Sequence, residues 1–173
     1  MNWMCVTLMI CLSFNPVMDY TNNDEFIEDV RACTLHLNSL HEEHERVPVL
    51  LVLAQSIHES NWGRSRFAVE GNNLLGIRTF DPSDDQLKPL NNPNATWGLR
   101  IFETKCESIS YYMYLLNNNH HYNKFREERI SQYFNKIVDL EGLAMTLAIY
   151  AEDVYYSQKI IRTIRELEAY DRD

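Results

Sequence analysis

Hydrophobic positions recur along most of the chain at helical spacing. From residue 22 to about 44, Ile27, Val30, Cys33, Leu37 and Leu40 form one stripe of a 3.6-residue repeat. Asn22, followed three residues later by Glu25, resembles a capping box and places the helix start. Pro48 suits the first turn of a second helix, where its missing N–H would have no partner anyway. The run Val49-Leu50-Leu51-Val52-Leu53-Ala54 is apolar on every face, so this helix is expected to be central and buried. It runs to about Asn61 and Trp62, and Gly63 offers a stop. Gly71-Asn72-Asn73 is turn-like. Residues 74–80 read as a short strand, 81–94 (rich in Pro, Asp and Asn) as a loop, and 95–102 as a returning strand. Together they suggest a small β-hairpin beside the helices. Thr104 and Glu107 form a capping box, with Ile109, Tyr112, Met113 and Leu116 following on one face. Further helices are predicted near 125–136, from an Asp139 cap through Leu147, and over a last stretch carrying Ile160, Ile161, Ile164 and Leu167. The predicted class is mainly α: a helical bundle around a buried central helix, with a minor β lobe.

A length of 173 residues fits one domain with one sizeable core, read here as residues 21–173. Apolar residues at 45% and charged residues at 24% are ordinary globular values, so neither disorder nor a fibrous repeat is indicated. The net charge of −9 argues against nucleic acid as a partner, which needs a basic face, and it gives no steering toward an anionic polymer. A monomer is expected. Residues 1–20 open the chain with an apolar stretch, either a leader or an extra packed helix, with an anchor as the remaining alternative. No Lys or Arg precedes Arg31, so a secretory leader would be atypical, and export to a periplasmic or extracellular location is the expectation. The stretch is short for a membrane span and no later segment is long enough, so a membrane role is not indicated. Cys5, Cys11, Cys33 and Cys106 show no zinc spacing. Cys33 and Cys106 are read as buried free thiols, with pairing as the alternative. His41-Glu42-Glu43-His44 has its histidines three apart, not four, and reads as a solvated helix end. His120-His121 reads as surface. Neither a metal nor a cofactor is expected.

Glu59 stands out. It falls at the C-terminal end of the most hydrophobic helix, and glutamate is almost never fully buried unless paired. Lost hydration raises a carboxyl pKa, and the negative end of a helix dipole pushes the same way. A carboxyl protonated near neutral pH is what general-acid catalysis requires, and glycoside hydrolysis commonly uses such an acid. A glutamate that simply turns to solvent at a helix end is the plainer alternative.

Four blocks, in order, then carry a resemblance. The stretch from Val47 to Ala68 contains Glu59-Ser60-Asn61-Trp62-Gly63-Arg64-Ser65 after its apolar helix. Next comes Gly71-Asn72-Asn73-Leu74-Leu75-Gly76-Ile77. Phe102 through Tyr112 follows, and Tyr150 to Ile160 closes the series. These resemble the E-S-x-W-G-x-S, G-N-N-L-F-G-I, F-x-x-x-x-E-S-I-x-x-Y and Y-A-x-D-x-x-Y-x-x-K-I blocks of the bacterial glucosaminidases, family 73 of the glycoside hydrolases. The wording of residues 67–73 and 122–129 is nearest the Bax-type subgroup. The resemblance implies a lysozyme-like α+β fold whose β lobe forms one wall of a substrate groove. It implies an endo-β-N-acetylglucosaminidase acting on peptidoglycan or another N-acetylglucosamine-containing glycan. Glu59 would be the general acid and Tyr150 would stand near the cleavage site. Trp62 would pack near the acid, with plain core packing as its alternative; Asn72 and Asn73 would shape the sugar groove, with turn formation as theirs; and Tyr155 would match the second closing tyrosine, with a core role as its alternative.

A second carboxylate is harder to place. The returning strand has no acid before Glu103, while Asp81, Asp84 and Asp85 lie in the loop and Glu70 is nearer in sequence. Without a second acid, the 2-acetamido group of the substrate could serve as nucleophile. The alternatives are a lysozyme or lytic transglycosylase acting on the neighbouring bond, and a glycan-binding module that cleaves weakly.

Overall fold

The computed structural model describes residues 18–172, so nearly all of the apolar opening stretch lies outside the described residues. The first helix, α1 (Asn23–Asn38), starts where the capping pattern places it. The Asn22 side chain accepts from the Glu25 N–H, and the Glu25 carboxylate accepts from the Thr21 N–H at 2.6 Å. It ends earlier than the apolar stripe suggests. Asn38 turns inward and exchanges hydrogen bonds with both backbone groups of Val47, at 2.8 and 2.9 Å, so the chain leaves the helix there. Leu40 is consequently exposed, and residues 43–45 form only a short 3-10 turn.

The second helix, α2 (Val49–Ser60), is the axis of the molecule. Every residue from Leu51 to Ile57 is buried, including the polar Gln55 and Ser56. Full burial of a large aliphatic side chain contributes about 1.5–3 kcal/mol, so this one segment accounts for much of the core. Its end is a sharp reversal in which Asn61, Trp62 and Gly63 take φ values of 51°, 59° and 70°. The Ser60 hydroxyl fixes the reversal by accepting from the Gly63 N–H at 2.7 Å and donating to the Ser56 carbonyl at 2.5 Å. A side chain at Gly63 would also run into the Tyr20 ring.

A short helix not predicted from sequence, α3 (Arg66–Gly71), is capped by the Ser65 hydroxyl. Leading out of it, Leu74 and Leu75 are both buried, which an alternating strand does not allow, so the strand expected over 74–80 shrinks to β1 (Arg78–Thr79). The loop supplies an extra strand, β2 (Gln86–Leu87), and the return strand is β3 (Gly98–Arg100). The lobe is therefore a three-stranded antiparallel sheet in the order β1-β3-β2, with Arg78 opposite Leu99 and Gln86 opposite Arg100, rather than a simple hairpin.

The remaining helices follow the apolar periodicity: α4 (Lys105–Asn118) with its Thr104 cap, α5 (Asn123–Asn135), α6 (Leu140–Thr146) with its Asp139 cap, and α7 (Tyr156–Tyr170). Helices α1, α6 and α7 pack around α2, and α4 lies against α1. Cys33 of α1 and Cys106 of α4 form a disulfide, which corrects the expectation of free thiols. Local pattern could not have revealed it, because two buried cysteines on separate apolar faces look alike whether or not the helices abut. Among the described residues, no helix is long and apolar enough to cross a membrane, and no cluster of His, Cys, Asp or Glu is grouped to hold a metal.

The bridge joins positions 73 residues apart, and tying a loop of this length restricts the unfolded chain strongly. Its reduction is predicted to lower unfolding free energy by about 2–4 kcal/mol. Urea titrations with and without reductant, alongside a Cys33→Ala/Cys106→Ala variant, measure this directly. Coincident curves would show that the bridge adds nothing.

Candidate active site

The reversal after Ser60 leaves Glu59 at the inner end of α2, half-buried, on the floor of a groove of about 590 Å³. One wall is the β lobe with its leading loop, through Gly76, Arg78 and Phe80. The other is made by Tyr111 of α4, by Tyr122 and by the segment holding Tyr150 and Glu152. Gly76 has φ +63°, and a Cβ built there would stand 3.0 Å from Glu59 Oε2. The loop thus lies directly on the carboxyl, and a side chain at this position would be strained by the left-handed backbone and would press on Glu59.

Burial is the main influence on Glu59 and raises its pKa. A hydrogen bond from Tyr156 and the positive charge of Arg78 oppose it without cancelling it. Tyr156 is itself held by a buried polar chain. Tyr112 donates to the Gln55 side-chain oxygen, and Gln55 Nε2 donates to the Tyr156 hydroxyl oxygen at 2.8 Å. Because Gln55 satisfies that oxygen as a donor, the Tyr156 proton is free for Glu59. Gln55 precedes Glu59 by one helical turn and so shares its face. Tyr150 stacks on Tyr156 with ring centroids 5.8 Å apart and meets Tyr112 edge-on at 5.7 Å. Its hydroxyl donates to the Leu75 carbonyl at 2.5 Å, tying the closing segment to the loop beneath Gly76. Burial pushes the phenols of Tyr112, Tyr122, Tyr150 and Tyr156 upward, so all four stay neutral and surround the carboxyl with low polarity.

Of the residues singled out from sequence, Glu59 and Tyr150 line the groove together. The others are elsewhere. Trp62 packs edge-on against Phe26, centroids 5.9 Å apart, and lines a separate hollow with Ile27 and Leu167. Asn72 donates to the carbonyls of Phe102 and Glu103. Asn73 is buried, donates to the carbonyls of Ile77 and Arg100, and accepts from the Ile77 N–H. These two asparagines fasten the lobe and shape the groove from behind without lining it. Tyr155 is exposed, so neither its core alternative nor a place in the groove holds. Counting Y-A-x-D-x-x-Y from Tyr150 puts the second tyrosine at Tyr156, and that is the ring facing inward. The loop acids do not reach the groove. Asp84 accepts from Thr79 and pairs with Arg100 at 2.8 Å, Asp81 accepts from Ser83, and Glu70 pairs with Arg66. Besides Glu59, the carboxylate lining the groove is Glu152, joined to Arg78 at 3.2 Å. Sequence reasoning missed Gln55, Tyr156, Arg78 and Glu152. Of these, two carried a usable signal: Tyr156 by the count along the closing block, and Gln55 as an amide inside an otherwise apolar helix one turn before Glu59.

Comparison with known proteins places this geometry in context. Residues 37–169 match the glucosaminidase family model, described as mannosyl-glycoprotein endo-beta-N-acetylglucosaminidase. Protein bax of Escherichia coli K12 is 32% identical over 92 residues, a match covering 53% of this chain and 32% of that protein's length. The glycoside hydrolase domain of FlgJ from Salmonella typhimurium superposes with a TM-score of 0.62 at 20% identity, covering 88% of this chain and 92% of the other. The catalytic domain of the autolysin Auto from Listeria monocytogenes gives a TM-score of 0.59 at 18% identity, covering 96% and 94%. At these identities, the structural likeness is one of fold.

Two substitutions probe the floor of the groove. Gly76→Ala forces a left-handed alanine and is predicted to cost roughly 1–2 kcal/mol, read by chemical denaturation. A variant as stable as the parent would mean that the loop relaxes freely. Gln55→Leu strands two buried phenols and is predicted to cost roughly 1–3 kcal/mol for each group left unsatisfied. An unchanged midpoint would show that the polar chain does not help hold α2, α4 and α7 together.

Proposed function

The chain belongs to the glucosaminidase family, and on that premise we propose that it hydrolyses β-1,4 bonds in peptidoglycan on the reducing side of N-acetylglucosamine, with Glu59 as the general acid. The observation that carries this reading is a carboxyl on a groove floor whose surroundings favour its protonated form. A glycan lying in the groove presents its bridging oxygen to Glu59, and proton transfer there lets the sugar leave as an alcohol rather than an alkoxide. The Tyr156 phenol, its proton free because Gln55 satisfies its oxygen, acts on the carboxyl and offsets part of the effect of burial. Tyr150 fixes the wall beside it through Leu75.

Among the described residues lining the groove, Glu59 is the carboxyl without a cationic partner, since Glu152 is paired with Arg78. With no loop acid among the described groove lining, two groups are placed to act at the anomeric carbon: the 2-acetamido group of the substrate, and Glu152 once it is released from Arg78. Lytic transglycosylation on the neighbouring bond needs a single acid. Mass analysis of the ends released from purified peptidoglycan separates it from hydrolysis, because a transglycosylase leaves an anhydro sugar. An exported location is part of the proposal, supported by the Cys33–Cys106 disulfide, since such bonds persist in oxidising compartments.

Glu59→Gln keeps the shape but has no proton to give, so release of reducing ends is predicted to fall by at least ~10²–10⁴-fold. Wild-type turnover should decline as pH rises through the raised pKa of Glu59, because the protonated form is the competent one. The linkage sign is the same for stability. A raised carboxyl pKa favours folding fully below the unfolded value of about 4.3, and that contribution is lost as pH rises through the folded value. Glu59→Gln should therefore be the more stable protein near neutrality, with the gap closing in acid. A folded Glu59→Gln variant with wild-type turnover would place the acid elsewhere. Glycan binding without cleavage by the wild type would make the domain a binding module.

A further inference from the structure

The groove holds one cationic side chain among its described lining residues, and that cation is set up to take a carboxylate. Arg78 begins β1, where pairing with β3 and a hydrogen bond from the Arg100 N–H to the Ile77 carbonyl fix its backbone. Its guanidinium lies over the Trp97 ring, 4.3 Å from the centroid, which fixes the planar group and leaves its edge toward the groove. That edge meets Glu152 Oε1 at 3.2 Å, across the groove from the β lobe to the segment preceding α7. The Glu152 side chain is 88% exposed, and Arg78 is its hydrogen-bonding partner among the described residues. An ion pair so open to water contributes little to stability and is readily exchanged for another carboxylate.

We propose that Arg78 is a specificity-determining residue that binds a carboxylate carried by the glycan, and that Glu152 occupies the same position as an internal competitor until substrate displaces it. The inference rests on the proposed hydrolase activity and narrows its substrate class. Glycans built wholly from neutral N-acetylhexosamines and mannose have no group for Arg78. A glycan containing muramic acid does, either in the free lactyl carboxylate of a sugar without its peptide or in the first carboxylate of an attached peptide.

The test compares wild type, Arg78→Leu and Glu152→Gln on three substrates of matched length: peptide-free peptidoglycan strands, peptide-bearing strands, and neutral chito-oligosaccharides. The quantity read is the ratio of kcat/KM on each anionic glycan to that on the neutral one, so a general loss of activity or folding does not count. A charge-assisted contact at a partly exposed site is worth roughly tenfold. Arg78→Leu should lower the ratio by about that factor. Glu152→Gln should raise it, a gain that damage to the fold cannot imitate. Whichever anionic substrate shows the larger change identifies the source of the carboxylate. A ratio unmoved by Arg78→Leu, or one that fails to rise in Glu152→Gln, overturns the proposal. If the wild type cleaves none of the three substrates, the hydrolase reading fails separately. Binding of N-acetylmuramic acid against N-acetylglucosamine, followed by NMR, then decides the role of Arg78. Loss of a preference for the acidic sugar in Arg78→Leu supports it, and absence of any preference in the wild type refutes it.

Discussion

A carboxyl at the end of an apolar helix must either lose its charge or collect donors, and Glu59 is held between these outcomes. Burial drives it toward the neutral form, while one phenol and one more distant cation pull it back. Much of the surrounding structure serves that balance. The phenol is aligned because Gln55 satisfies its oxygen, and Gln55 is aligned because Tyr112 donates to its carbonyl. Three helices thus contribute to the position of one proton. Buried polar chains of this kind raise the cost of misplacement, since each member left unpaired in a low dielectric is destabilising. The same chain that orients the acid therefore also specifies how α2, α4 and α7 pack.

The groove is built by the opposite means, with backbone rather than side chains pressed against the acid. Gly76 brings the loop to Glu59, and the loop is held from three sides. Asn73 fastens it to β3, Tyr150 grips the Leu75 carbonyl, and the Ser108 hydroxyl accepts from the Leu74 N–H at 3.2 Å. Asn72 and Asn73 shape the site without being available to a sugar, because their amides are already engaged. The four sequence blocks meet here for a structural reason: the helix end, the loop, the α4 tyrosines Tyr111 and Tyr112, and the closing tyrosines are the elements that surround one carboxyl.

Helical periodicity and capping signals made the α-rich architecture readable, together with α2 as its axis and Glu59 at its end. What escaped were properties of pairs distant in sequence. The Cys33–Cys106 bridge, the third strand and the Arg78–Glu152 contact each depend on how separate elements are juxtaposed, which no local pattern encodes. The inner and outer tyrosines of the closing block differ by one position. On a helix start that single step separates Tyr156 in the core from Tyr155 in solvent. Asp84 shows the limit of compositional reasoning. It lies in the lobe, where a second acid was sought, but Thr79 and Arg100 already engage it.

The charges of the β lobe are largely spent on its own sheet. Arg100 neutralises Asp84, and the Lys88 ammonium donates to Gln86 and to the carbonyls of Ala95 and Trp97. What the lobe offers the groove is a cation, Arg78, while both groove carboxylates come from the helical body. Cation and carboxylates therefore lie on opposite walls of the groove, joined there by the Tyr150–Leu75 hydrogen bond and by one exposed ion pair. Such a pair is too weak to hold the walls shut, yet it keeps Arg78 neutralised and in place while the groove is empty. On the proposal made for Arg78, a glycan carboxylate entering between the walls exchanges that contact for its own, and substrate charge is read at the step that opens the way to Glu59.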